Sequence, residues 1–121
     1  MTALLVVAGA LVGAPARYLT DLVVQSRHAS KVPWGTFTVN VAGCLVLGLV
    51  ASLVAHGAWA GWTQTLIGTG FCGALTTFST FSFETLRLVE GGHLRTAALN
   101  VVASIAAGMA ALGLGWWLGS L

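Results

Sequence analysis

Five hydroxyls and four phenylalanines share the stretch Gly70–Phe83, GFCGALTTFSTFSF, inside a long apolar segment. Thr76, Thr77, Ser79, Thr80 and Ser82 place O–H donors within seven residues, with Phe71, Phe78, Phe81 and Phe83 among them. Gly70 and Gly73 loosen the backbone there. A span that only faces lipid needs none of this. Freed carbonyls at membrane depth are tolerated only where they are buried in protein or line a cavity. The stretch is therefore expected to be a helix break that builds an ion site.

The residue types indicate which ion. Asn40 brings an amide with two N–H donors into another apolar segment. No acidic residue lies mid-span, since Asp21 and Glu84 fall near span ends. A proton-coupled transporter needs an intramembrane ionisable group, and a cation pore favours carboxylate rings or carbonyl filters. Donors without carboxylates suit a small anion. Phe78 and Phe81, three apart on one face, can present the positive edges of their rings to it; simple aromatic packing is the alternative. Asn40 likewise reads either as a pore-lining amide or as a hydrogen bond between helices. The break points to a second ion: unwound carbonyls around Gly73–Thr76 can bind Na⁺.

Catalysis finds no support. His28, His56 and His93 fall in predicted loops and make neither HExxH nor a Cys/His ligand spacing. No serine has a buried histidine to serve as its base. Cys44 and Cys72 lie in apolar segments, where small packing residues are expected rather than a disulfide.

The frame around these residues follows from composition. The 121 residues are 57% hydrophobic and 7% charged, against roughly 25% charged in soluble domains. An all-α integral membrane protein is expected, and at about 20 residues per helix four spans nearly exhaust the length. This leaves one domain, 1–121, with no soluble part. A net charge of +2 gives no reason to expect nucleic acid.

The first span covers about 2–24 and is read as a retained helix, because the apolar start lacks the basic region of a signal peptide. It carries a Gly9/Gly13 close-packing spacing, Pro15 as an expected kink, and Arg17 and Asp21 spaced to pair. Arg17 is either an interfacial snorkelling residue or part of a polar entrance. Pro33 opens the second span, about 34–54. Trp59 and Trp62 mark an interface before the third span, about 61–90, which breaks near its middle. Glu84 and Arg87 are spaced to pair, and Gly91–Gly92 ends that span. The fourth, about 94–118, carries Ser104/Gly108 and Gly115/Gly119 spacings and ends at Trp116 and Trp117. Asn100 and Ser104 lie one turn apart on one of its faces.

The chain resembles the Fluc (CrcB) fluoride channels of bacteria over nearly its whole length. The resemblance rests on GALVGAPARY at 9–18, WGTFTVNVAGC at 34–44 and, most specifically, GFCGALTTFSTFSFE at 70–84. It implies a passive, fluoride-selective channel in the bacterial cell membrane that lets cytoplasmic fluoride escape and so lowers its toxicity. It also implies an antiparallel, dual-topology dimer with two pores around a central structural Na⁺. By motif position, Gly73 and Thr76 would give backbone carbonyls to Na⁺, one pair from each subunit. Phe78 and Phe81 would be the pore phenylalanines, Asn40 would donate to fluoride, and Ser79, Thr80 and Ser104 would line a polar track. Arg17 would sit near the vestibule. Small, strongly hydrated fluoride needs donors that replace its water, and phenyl edges add weak sites that conduction requires.

The charge bias departs from what a dual-topology homodimer should show. With four spans, both termini and the second loop share one side without Lys or Arg. Arg27, Lys31, Arg87 and Arg95 lie on the other, with Arg17 near it. The positive-inside rule then places loops one and three in the cytoplasm. The antiparallel dimer would form with itself or with an oppositely oriented homologue. The competing classes are a small multidrug-type transporter, a non-conducting membrane assembly subunit, and a cation channel using the span-three carbonyls.

Overall fold

A computed structural model describes residues 1–27 and 32–121, and every element in it is helical. His28 and Lys31, both counted above for the first loop, lie outside the described residues. Helix α1 is Thr2–Arg27 and α2 is Trp34–Ala55. A π-helical stretch, Gln64–Cys72, leads into the short α3, Gly73–Leu75. Helix α4, Ser79–Glu90, completes that span, and α5 is Leu94–Gly119. Four segments are long and apolar enough to cross a membrane: Thr2–Arg27, Trp34–Ala55, Gln64–Glu90 and Leu94–Gly119.

Small residues set the packing. The buried apolar residues are Val39, Val50, Cys72, Leu75, Leu88, Ala97 and Ala111, while Leu11, Leu99, Val102 and Ile105 point outward. Lipid is as apolar as leucine, so burying large side chains gains little there; close backbone approach gains more. Helices α2 and α5 show this. A Cβ on Gly48 would collide with the Leu112 carbonyl and the Trp116 amide, and one on Gly115 with the Leu45 carbonyl and Leu49 amide. Helix α1 packs the same way on the π-helical stretch, with Gly9 against Leu66 and Phe71 and Gly13 against Phe71. The Gly9/Gly13 and Gly115/Gly119 spacings read from the sequence thus fall on close helix contacts, while Gly108 meets only the Cys44 sulfur at an ordinary 3.5 Å.

Several local expectations need correction. Helix α1 extends to Arg27, three residues beyond the expected end, and contains Pro15 within it. A missing N–H in a long helix is tolerated in membranes because neighbours re-satisfy the freed group. Arg17 and Asp21 form no ion pair; Asp21 instead abuts Gly35 of α2. Glu84 and Arg87 do not pair either. Glu84 accepts a hydrogen bond from the Thr36 hydroxyl of α2, and the Arg87 guanidinium lies 5.8 Å from the Phe83 ring centroid. Gly92, with φ +81°, supplies the left-handed turn into α5, while Gly91 keeps negative φ. The π-helical winding before the break has no counterpart in the sequence reading; such windings recur at functional sites. Both cysteines are free thiols.

Candidate functional site

The third span ends its first half at Leu75 because side chains take over the backbone groups that a helix would use. The Cys72 carbonyl accepts both the Thr76 N–H at 2.9 Å and the Thr76 hydroxyl at 2.8 Å. Thr76 then turns extended, at φ −82° and ψ 158°. The Asn40 amide of α2 grips the next residue from both sides. Its Nδ2 donates to the Thr77 carbonyl at 3.0 Å, and its Oδ1 accepts the Thr77 N–H at 2.8 Å. The Thr77 hydroxyl accepts the Thr80 N–H at 3.2 Å, so it caps α4 from outside.

These bonds free two carbonyls. In a continuous helix the Gly73 carbonyl would accept the Thr77 N–H, and the Thr76 carbonyl the Thr80 N–H. Asn40 and the Thr77 hydroxyl hold those two donors instead. Gly73 is exposed, and a Cβ there would meet nothing within 4 Å. Two carbonyl oxygens three residues apart are thus left without their helical donors. Among the described residues no group of His, Cys, Asp and Glu could hold a metal. Carbonyl oxygens are suitable donors for a hard cation such as Na⁺.

The anion candidates gather next to this break. Asn40, Gly73, Thr76, Phe78, Phe81 and Ser104 line one groove of about 390 Å³, with Cys44, Cys72 and Gly108. The Phe78 and Phe81 rings are 6.0 Å apart between centroids and tilted by 42°. Phe78 is 79% exposed, so its ring is open at the rim of the groove. Arg17 and Thr80 lie elsewhere, in a second cavity of about 200 Å³ with Tyr18, Asp21, Thr36 and Thr77. Ser79 lines neither and stands exposed, 3.4 Å from the Thr77 hydroxyl. The predicted residues therefore divide between two cavities, and Thr77 borders both.

Sequence reasoning missed the part Thr77 plays. It stood among the clustered hydroxyls without a role, because nothing in the cluster tells which threonine α2 will hold. It also missed Thr85, whose hydroxyl accepts from Asn100 at 2.9 Å. The pairing of Asn100 with Ser104 on one face was the available signal.

Fold and site define the class: a multi-pass membrane protein whose bent third span is held open by an asparagine from the second. A family model described as CrcB-like protein, Camphor Resistance (CrcB), matches residues 4–116. The chain is 56% identical over 117 residues to the fluoride-specific ion channel FluC 1 of Streptomyces avermitilis, covering 97% of this chain and 94% of that protein. It is 55% identical over 120 residues to the FluC 1 channel of Frankia casuarinae, with 95% and 93% covered. It is 44% identical over 123 residues to the FluC 1 channel of Thermobifida fusca, with 98% and 99% covered. The chain belongs to the CrcB family.

Proposed function

We propose that this chain is a subunit of a fluoride-selective passive channel that lets fluoride leave the cytoplasm. The observation that carries this is the groove at the break, where an amide, hydroxyls and two phenyl rings converge without a carboxylate. The names of the curated relatives point the same way.

Each residue has a physical task. Nδ2 of Asn40 holds the Thr77 carbonyl with one N–H, and its second N–H remains to donate to an anion. Ser104 offers a hydroxyl from the facing helix. Among the described residues its hydroxyl makes one long hydrogen bond, 3.4 Å to Asn100, which it can give up easily. The edges of Phe78 and Phe81 attract weakly, so fluoride would pass without being trapped. Thr80 and Arg17 would serve the second cavity, with the guanidinium raising anion concentration near its mouth. Larger halides gain less from the same donors and fit a narrow path less well.

The functional unit in this reading is an antiparallel dimer, formed with a second copy or an oppositely oriented homologue. The exposed face of Phe78 and Gly73 supports an assembly in which another chain covers the break. Gly73 and Thr76 of each subunit would hold a structural Na⁺ through their freed carbonyls; when bound, its charge would tie the two breaks together.

Fluoride efflux from liposomes tests the reading, with chloride as control and Phe81→Ile beside the unaltered chain. Fast efflux of fluoride alone, lost in the variant, is expected. If the chain alone is silent, the oppositely oriented homologue is co-reconstituted. Continued silence, or equal chloride flux, refutes the fluoride channel.

A further inference from the structure

We propose that Asn100 is a positioning residue for Phe81, acting through Thr85 from behind the groove; this rests on the fluoride-channel reading above. Helix α4 is twelve residues long, and its one buried residue, Leu88, lies near the far end. The Thr77 hydroxyl holds the Thr80 N–H and the Thr36 hydroxyl holds Glu84, but neither bond reaches Phe81. Yet Phe81, on its first turn, lines the groove.

A directed chain of hydrogen bonds supplies the constraint. The Thr85 hydroxyl donates to the Phe81 carbonyl at 2.7 Å, one turn back in α4. With its proton committed there, the same oxygen accepts from Nδ2 of Asn100 at 2.9 Å. This orients the Asn100 amide, so its Oδ1 accepts the Ser104 hydroxyl at 3.4 Å. The firm part of the chain runs from Asn100 through Thr85 to Phe81, which lines the groove, while Asn100 lies outside it and its contact to Ser104 is loose. It is a brace tying α4 to α5. Asn100 is 7% exposed, so its amide relies chiefly on these partners. A buried amide hydrogen-bonded to a specific partner fixes register more strictly than apolar contact does.

The brace is asymmetric. Thr85→Val keeps the shape but removes the donor to Phe81 and leaves Nδ2 of Asn100 buried without an acceptor. Asn100→Leu removes the amide but leaves Thr85 bonded to Phe81. The threonine change is therefore the more harmful, because a stranded buried donor is worse than a vacated acceptor.

The test uses the assembly that conducts, reconstituted in liposomes. Hydrogen bonds between membrane helices of this kind predict that Asn100→Leu slows fluoride efflux by about three- to fifteenfold. Thr85→Val should slow it more, and Thr85→Ser, which keeps the hydroxyl, should stay within about twofold by the same reasoning. The double variant should be no slower than Thr85→Val alone, because both changes cut one chain. Each variant is first shown to elute from gel filtration as the unaltered protein does. If Thr85→Val does not, the comparison of Asn100→Leu with Thr85→Ser carries the test.

Rates for Asn100→Leu and Thr85→Val equal to the unaltered protein, with Phe81→Ile still inactive, overturn the brace but leave the channel standing. Thr85→Ser as slow as Thr85→Val also overturns it, since size rather than the hydroxyl would then matter. No fluoride flux from any assembly overturns the channel and the brace together.

Discussion

Replacing Asn40 with leucine separates holding the break open from merely filling space. Leucine has the same branched outline as asparagine, though bulkier, and keeps the α2 helix. It removes both bonds to Thr77, at 3.0 and 2.8 Å. Each backbone group left buried and unpaired costs about 1–3 kcal/mol, so the pair predicts a loss of about 2–6 kcal/mol. Part of this is recoverable, because the freed Thr77 N–H can return to the Gly73 carbonyl and extend α3. The lower half of the range is therefore expected. Repair of the helix has a functional price, since it removes one of the two freed carbonyls and shifts Phe78 along the groove. The assay is unfolding in mixed detergent micelles, paired with fluoride efflux. Thr38→Val is the control: it lies on the same helix, and among the described residues its hydroxyl bonds the Trp34 carbonyl, within that helix, at 2.7 Å. That control should stay within about 0.5 kcal/mol. An Asn40→Leu protein as stable and as active as the unaltered chain would refute the clamp.

Three further outcomes follow from the geometry. Gly48→Val should destabilise the α2–α5 contact by at least about 1–3 kcal/mol, the range for overpacked interiors, because its Cβ would strike the Leu112 carbonyl; micelle unfolding measures this. Gly73→Ala should leave the single chain folded, as its Cβ meets nothing, but should weaken dimerisation and the dependence on Na⁺; sedimentation in detergent and flux with Na⁺ replaced by a large organic cation check both. A thiol reagent should label Cys44 before Cys72, since Cys72 is only 3% exposed and Cys44 is half-buried, and mass spectrometry of digested protein gives the order.

Much of this was legible in the residues themselves. Apolar length and scarce charge required helices in a membrane, because an unpaired backbone cannot cross lipid. Glycine spacings marked where α1 meets the third span and where α5 meets α2, because only a missing Cβ permits such approach. Clustered hydroxyls with glycines at Gly70 and Gly73 marked the break, and Asn40 stood out as a polar group too costly to be idle in a span. Tertiary structure alone decided the partners. Asn40 reaches Thr77, thirty-seven positions away, and Glu84 turns to Thr36 rather than to its neighbour Arg87. Spacing along one helix says which groups can meet if nothing better is near. A hydrogen bond at membrane depth, however, goes to whichever donor or acceptor the packed helices bring within about 3 Å. Composition and periodicity therefore specified the helices and the place of the break. The groove, the clamp at Thr77 and the brace behind Phe81 exist only once those helices are packed.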